Sequence, residues 1–75
     1  MTWEELKEKA KEMGAAIWAN DKTFGIFDLL FCEDGDICVE TSYYNEKYDK
    51  WDYSEKMVAF NRTPEQMYAI MEALK

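Results

Sequence analysis

The stretch that most constrains this chain is Phe24 to Tyr44, FGIFDLLFCEDGDICVETSYY, where two apolar runs flank the turn signal Glu33-Asp34-Gly35-Asp36. The Asp-Gly pair supplies the positive φ that a tight reversal needs, and alternating side chains on either side can cover one core, so the stretch predicts a β-hairpin. Its first strand is expected over about 24–32, apolar on both faces and therefore covered twice or partly exposed. Its second strand, about 36–44, sets Ile37, Val39, Thr41 and Tyr43 on one face and Cys38, Glu40, Ser42 and Tyr44 on the other.

The flanks supply what packs on the hairpin. Thr2-Trp3-Glu4-Glu5 has the form of a capping box, and Trp3, Leu6, Ala10, Met13 and Ile17 recur at helical spacing, with Glu5 and Lys9 paired outside that stripe. A helix is expected over 3–13 with Gly14 as its stop, while residues 15–19 fit either more helix or a short extended piece. Asn20-Asp21-Lys22-Thr23 is turn-forming. After the polar reversal at 45–50, Trp51, Tyr53, Met57 and Ala59 alternate with polar residues. That pattern predicts a third strand within about 51–60, with a change of face near Glu55 and Lys56 that suggests a bulge. Thr63-Pro64-Glu65-Gln66 is a second capping signature, and Met67, Ile70, Met71 and Leu74 form the apolar face of the helix it opens.

These elements predict one α+β domain over 1–75 of order αβββα, a three-stranded antiparallel meander with both helices on one face, because two helical stripes need one shared apolar surface. A chain of this size buries only roughly 60% of the surface its unfolded form exposes, so its core has to be dense in bulky side chains. The order helix, three strands, helix is similar to that of double-stranded RNA-binding domains. Thr63-Pro64-Glu65-Gln66 stands where those domains carry lysines, so the resemblance implies topology and not RNA binding. The ends, MTWEELKEKAKEMG and NRTPEQMYAIMEALK, resemble those of small uncharacterised bacterial and prophage proteins, which implies no activity.

Charge and residue usage narrow the function. Nine Lys and Arg against sixteen Asp and Glu give a net charge of −7, which repels nucleic acid and anionic membranes alike. Histidine is absent, removing the usual imidazole base and zinc nitrogen ligand. The N-terminal stretch lacks the pattern of a signal peptide, so a cytoplasmic location is expected. Cys32 and Cys38 flank the turn. A two-residue loop would point them to opposite faces, and a three-residue loop with a bulge would put them on one face offset by two positions, so free thiols are expected in either case. Their neighbours Glu33, Asp34, Asp36 and Glu40 disfavour thiolate. The same acids fail the EF-hand pattern, since Leu30, Cys32 and Thr41 fall where carboxylates belong. Thr63 in Asn61-Arg62-Thr63 is better explained as a helix cap than as a glycosylation acceptor. No catalytic residue, cofactor or metal ligand is expected.

The one concentration beyond core needs is Tyr43, Tyr44, Tyr48, Trp51 and Tyr53, bordered by Glu46, Asp49, Asp52 and Glu55. Cross-strand pairing is its structural explanation, and a recognition surface is its functional one. The sequence therefore points to a small acidic protein-interaction module, in the form of an acidic decoy for a basic or nucleic-acid-binding protein. Tyr44, Tyr48, Trp51, Tyr53, Asp49 and Asp52 are its expected contact residues, and a basic protein or a second copy its partner. The alternative is a small ligand-binding domain or enzyme, which would need a concave pocket with converging polar groups.

Overall fold

A computed structural model describes all 75 residues. Helix α1 (Trp3–Glu12) leads into five strands, β1 (Ala16–Ile17), β2 (Thr23–Ile26), β3 (Leu29–Cys32), β4 (Ile37–Asn45) and β5 (Lys50–Ala59), and helix α2 (Pro64–Leu74) closes the chain. The strands form one antiparallel sheet in sequence order. The expected three-stranded αβββα meander is thus replaced by five strands, for two separate reasons, and the topological likeness to double-stranded RNA-binding domains goes with it.

The first reason lies in the apolar run 24–32, which is two strands and not one. Ile26 pairs with Leu29, leaving Phe27 and Asp28 as a two-residue loop, and both take positive φ, 55° and 63°. This is the type I′ pattern whose twist matches a hairpin, normally signalled by Asn-Gly or Asp-Gly. A phenylalanine in the left-handed region is unfavourable by roughly 1–2 kcal/mol, so no local preference announces the turn. The second reason is the segment 15–19. Gly14, at φ 96°, ends α1, and Ala16 and Ile17 pair with Gly25 and Phe24, which makes the segment a short edge strand.

One row of side chains crosses the whole sheet. Ile17, Phe24, Phe31, Ile37 and Ala59 are successive cross-strand partners and share the face on which both helices pack. Trp3, Leu6 and Ala10 of α1 and Met67 and Met71 of α2 join Phe24, Phe31 and Ile37 in a single core cluster. Trp3, Phe24 and Phe31 stack as a column, with centroids 5.2 and 5.1 Å apart, and the Trp3 Nε1–H donates to the Asp21 carbonyl at 2.9 Å. Three aromatic rings thereby supply the bulk that a short chain needs. In α2 the buried positions are Met67 and Met71. Ile70 is half-buried and Leu74 exposed, so the α2 stripe is narrower than its spacing suggests.

Both capping boxes form. Thr2 and Thr63 each accept from the amide three residues on, and Glu5 and Gln66 accept from the cap amides. Glu5 is thereby occupied at the cap, and Lys9 lies over the Tyr68 ring at 5.3 Å instead of pairing with Glu5. Lys7 is buried at the base of α1, with Glu4 at 3.0 Å and Asp21 at 3.6 Å. The hydrogen bond to Glu4, above all, raises its pKa and keeps it charged.

The β3–β4 turn fixes the position of the second helix. Phe31 pairs with Ile37, the Gly35 amide donates to Cys32 O, and Gly35 has φ 101°, which is the three-residue loop with a bulge. Gly35 is needed twice over, since a Cβ there would also lie 3.0 Å from the Arg62 nitrogen. The Arg62 amide donates to Gly35 O at 3.0 Å, tying the turn to the segment that enters α2.

Candidate interaction surface

The sheet is uneven in support. Val39 is the last β4 residue with a partner in β3, and from Glu40 to Asn45 the only neighbour of β4 is β5. The two strands leave the body as a ribbon, exposed at almost every position, and the molecule measures 45 × 24 × 22 Å. A bulge at Ile37/Cys38 marks the root: Ile37 pairs with Ala59 and Cys38 with Met57, so Val58 is the extra residue. The change of face lies there, later than the 55–56 step suggested by the sequence pattern.

Pairing register assigns each side chain to a face. Tyr44 lies opposite Trp51, Ser42 opposite Tyr53, and Glu40 opposite Glu55, all on the side away from the helices. Tyr44 and Trp51 meet edge to face at 5.7 Å, while Trp51 remains 72% and Tyr53 63% exposed, far more than a stabilising cross-strand pair requires. The helix side of the ribbon carries Tyr43 opposite Asp52, Thr41 opposite Ser54, and Val39 opposite Lys56.

The expected contact residues therefore divide. Tyr44, Trp51 and Tyr53 share one face. Asp49, at φ 50° in the turn, accepts a hydrogen bond from the Tyr44 hydroxyl, and this ties the face to the tip. Tyr48 is at the tip itself, with the Lys47 and Lys50 ammonium groups 5.4 and 5.8 Å from its ring centroid. Asp52 lies on the opposite face, where Asn45 Nδ2 donates to it at 3.4 Å.

Glu40 and Glu55 were not legible as a unit from sequence. They are directly opposed like charges, an arrangement that is destabilising across a strand pair, and neither forms a salt bridge within the chain. Strand parity alone places each on its face. Only the register, which depends on the length of the 46–49 loop, sets them side by side and next to Tyr53.

Elsewhere the chemistry is muted. Cys32 and Cys38 are free and share the helix-free face. Burial, first of all, pushes both thiols up. The Thr23 hydroxyl partly offsets this at Cys32, and the Glu55 carboxylate adds to it at Cys38, so both thiols are held away from the reactive thiolate form. An open groove at the C-terminal ends of the helices is lined by Lys9, Met13, Phe27, Tyr68, Glu72 and Lys75 among others. The Tyr68 phenol there is pushed up, chiefly by hydrogen bonding to Glu72, which makes it a poorer acid. No group of three or more Cys, Asp or Glu side chains is placed to hold a metal ion, and no helix is long and apolar enough to cross a membrane. Comparison with family models, curated proteins and solved structures returns no match.

Proposed function

We propose that this chain is a protein-interaction module whose β4–β5 ribbon presents the contact surface, and that its partner is a basic protein segment received on the Tyr44–Trp51–Tyr53 face. The observation that carries this reading is the Glu40–Glu55 pair beside Tyr53. Two like charges with no cation of their own are relieved when a Lys or Arg is set between them, and the neighbouring rings offer flat area and π-faces to its stem and head. Aromatic residues and Arg are enriched where proteins meet. The net charge of −7 steers such a partner toward the ribbon and speeds association at low salt. A protein that ordinarily holds nucleic acid has a surface of this kind, so occupation of that surface, as an acidic decoy, is the role this reading favours. The site is cytoplasmic in the same reading.

The test is titration of an Arg- and Lys-rich peptide onto the intact chain at low and at moderate salt, with the heat of binding as the readout. Binding should weaken as salt rises, by about tenfold or more in Glu40→Gln/Glu55→Gln, and by a similar factor in Trp51→Ser/Tyr53→Ser. Equal binding by the native chain and both variants would sink the proposal.

A further inference from the structure

The outer edge of β5 is the longest unpaired backbone in the molecule. β5 runs from Lys50 to Ala59 and has β4 on one side and no strand on the other. An open edge of this length is a template for pairing with another strand, and a two-stranded ribbon is marginal without further support. The opposite edge of the sheet, β1, is only two residues long. Asymmetry of this kind directs pairing to β5.

We infer that β5 pairs antiparallel with β5 of a second copy, centred on Ser54. The inference does not rest on the basic-segment reading above, since it concerns the edge of the ribbon and charges on its helix side.

Self-pairing about a twofold axis leaves few registers that keep most of the strand paired with both aromatic faces on one side. Centred on Lys56, the register opposes Lys56 to itself. Centred on Tyr53, it opposes Lys50 to Lys56, and centred on Glu55 it opposes Glu55 to itself. Like charges directly opposite are destabilising. Centred on Ser54, the register sets Asp52 against Lys56 of the second copy twice, by symmetry, and Trp51 against Met57 twice, with no like charges opposed. It is the one register of the four that is complementary in both charge and apolar contact. Asp52 and Lys56 are also free to take these partners, because neither belongs to an ion pair within the chain.

The product is an isologous dimer with a continuous sheet, five strands from each chain. All four helices lie on one side. On the other side Tyr53 of each copy abuts Glu55 of its twin, joining the two aromatic faces into one surface. Trp51 and Met57, 72% and 51% exposed in the single chain, gain cover from each other.

Sedimentation of the full-length chain over the micromolar to millimolar range tests the inference. The native chain should dimerise reversibly. Asp52→Lys alone, or Lys56→Asp alone, sets like charges opposite at two symmetric points and should weaken dimerisation by about tenfold or more. The double exchange Asp52→Lys/Lys56→Asp restores both pairs and should recover the native constant, while circular dichroism confirms that every variant is folded. A native chain that stays monomeric throughout would overturn the inference. A dimer that ignores the single exchanges, or one that the double exchange fails to rescue, would overturn it as well. Peptide binding by the monomeric single variants reports on the basic-segment reading separately, since both substituted side chains lie on the other face from Tyr44, Trp51 and Tyr53.

Discussion

The body of this molecule and its ribbon share strands β4 and β5, yet they spend their aromatic residues in opposite ways. In the body, Trp3, Phe24 and Phe31 stack in a column closed off by both helices, and Phe24 and Phe31 have no exposed surface at all. In the ribbon, Tyr44, Trp51 and Tyr53 stand on one face with no layer above them. Aromatic content cannot distinguish the two, since both are rich in aromatic residues. What separates them is the line at Val39, the last β4 residue paired with β3, beyond which β4 and β5 continue alone. Stability is concentrated on one side of that line and accessible aromatic area on the other.

The largest effect should come from a substitution in the body. Phe31→Ala removes the end of the aromatic column and opens a cavity under both helices, and should cost about 3–5 kcal/mol, a large share of what a domain of this size has. Urea unfolding of the variant should show an early midpoint or no folded baseline. A midpoint equal to the native one would place the core elsewhere.

A smaller effect with the opposite sign should come from the turn at Phe27 and Asp28. Both residues take positive φ without being glycine, so Phe27→Asn/Asp28→Gly supplies the turn with its favoured residues and should stabilise the chain by about 1 kcal/mol. Loss of stability would mean that the Phe27 ring, 38% exposed beside Met13 and Tyr68, contributes more by contact than its backbone costs.

That turn also marks where the sequence stopped being legible. The two helices and the β3–β4 reversal were readable because each has a residue whose physics is local: Thr2 and Thr63 as caps, Pro64 at a first turn, Gly14 and Gly35 at positive φ. The turn at 27–28 has none. Phe-Asp is an ordinary strand dipeptide, and the reversal is enforced by tertiary packing, the burial of Phe24 and Phe31 side by side against α1. β1 was ambiguous for a related reason, since two residues carry too little pattern to separate helix from strand until Phe24 and Gly25 are in place beside them. At the candidate surface, alternation within β5 groups Trp51 with Tyr53, and Tyr44 joins them through the pairing of β4 with β5. Alternation also puts Asp52 on the face away from Trp51 and Tyr53, whereas the Glu40–Glu55 opposition required the cross-strand register, which is a tertiary quantity.

The smallest effect on stability should come from the ribbon. Trp51→Ser/Tyr53→Ser removes two large aromatic residues, but both are already mostly in solvent, so the loss should stay within about 1 kcal/mol, the scale of a single cross-strand pair. The same variant should lose binding to a basic peptide. A cost comparable to that of Phe31→Ala would show that the ribbon face is structural, and the contrast drawn between ribbon and body would fail.

If the body folds by itself and the ribbon serves contact alone, the ribbon can be removed without loss of the fold. Thr41 and Ser54 are direct cross-strand partners, so Ser42–Tyr53 can be replaced by Asn-Gly, which closes β4 onto β5 with a two-residue turn. Unfolding of this shortened chain, followed by circular dichroism in urea, should remain cooperative, with a free energy within about 1 kcal/mol of the intact protein when each is measured as a monomer. A shortened chain that is unfolded, or that loses cooperativity, would contradict the claim and make the ribbon part of the fold.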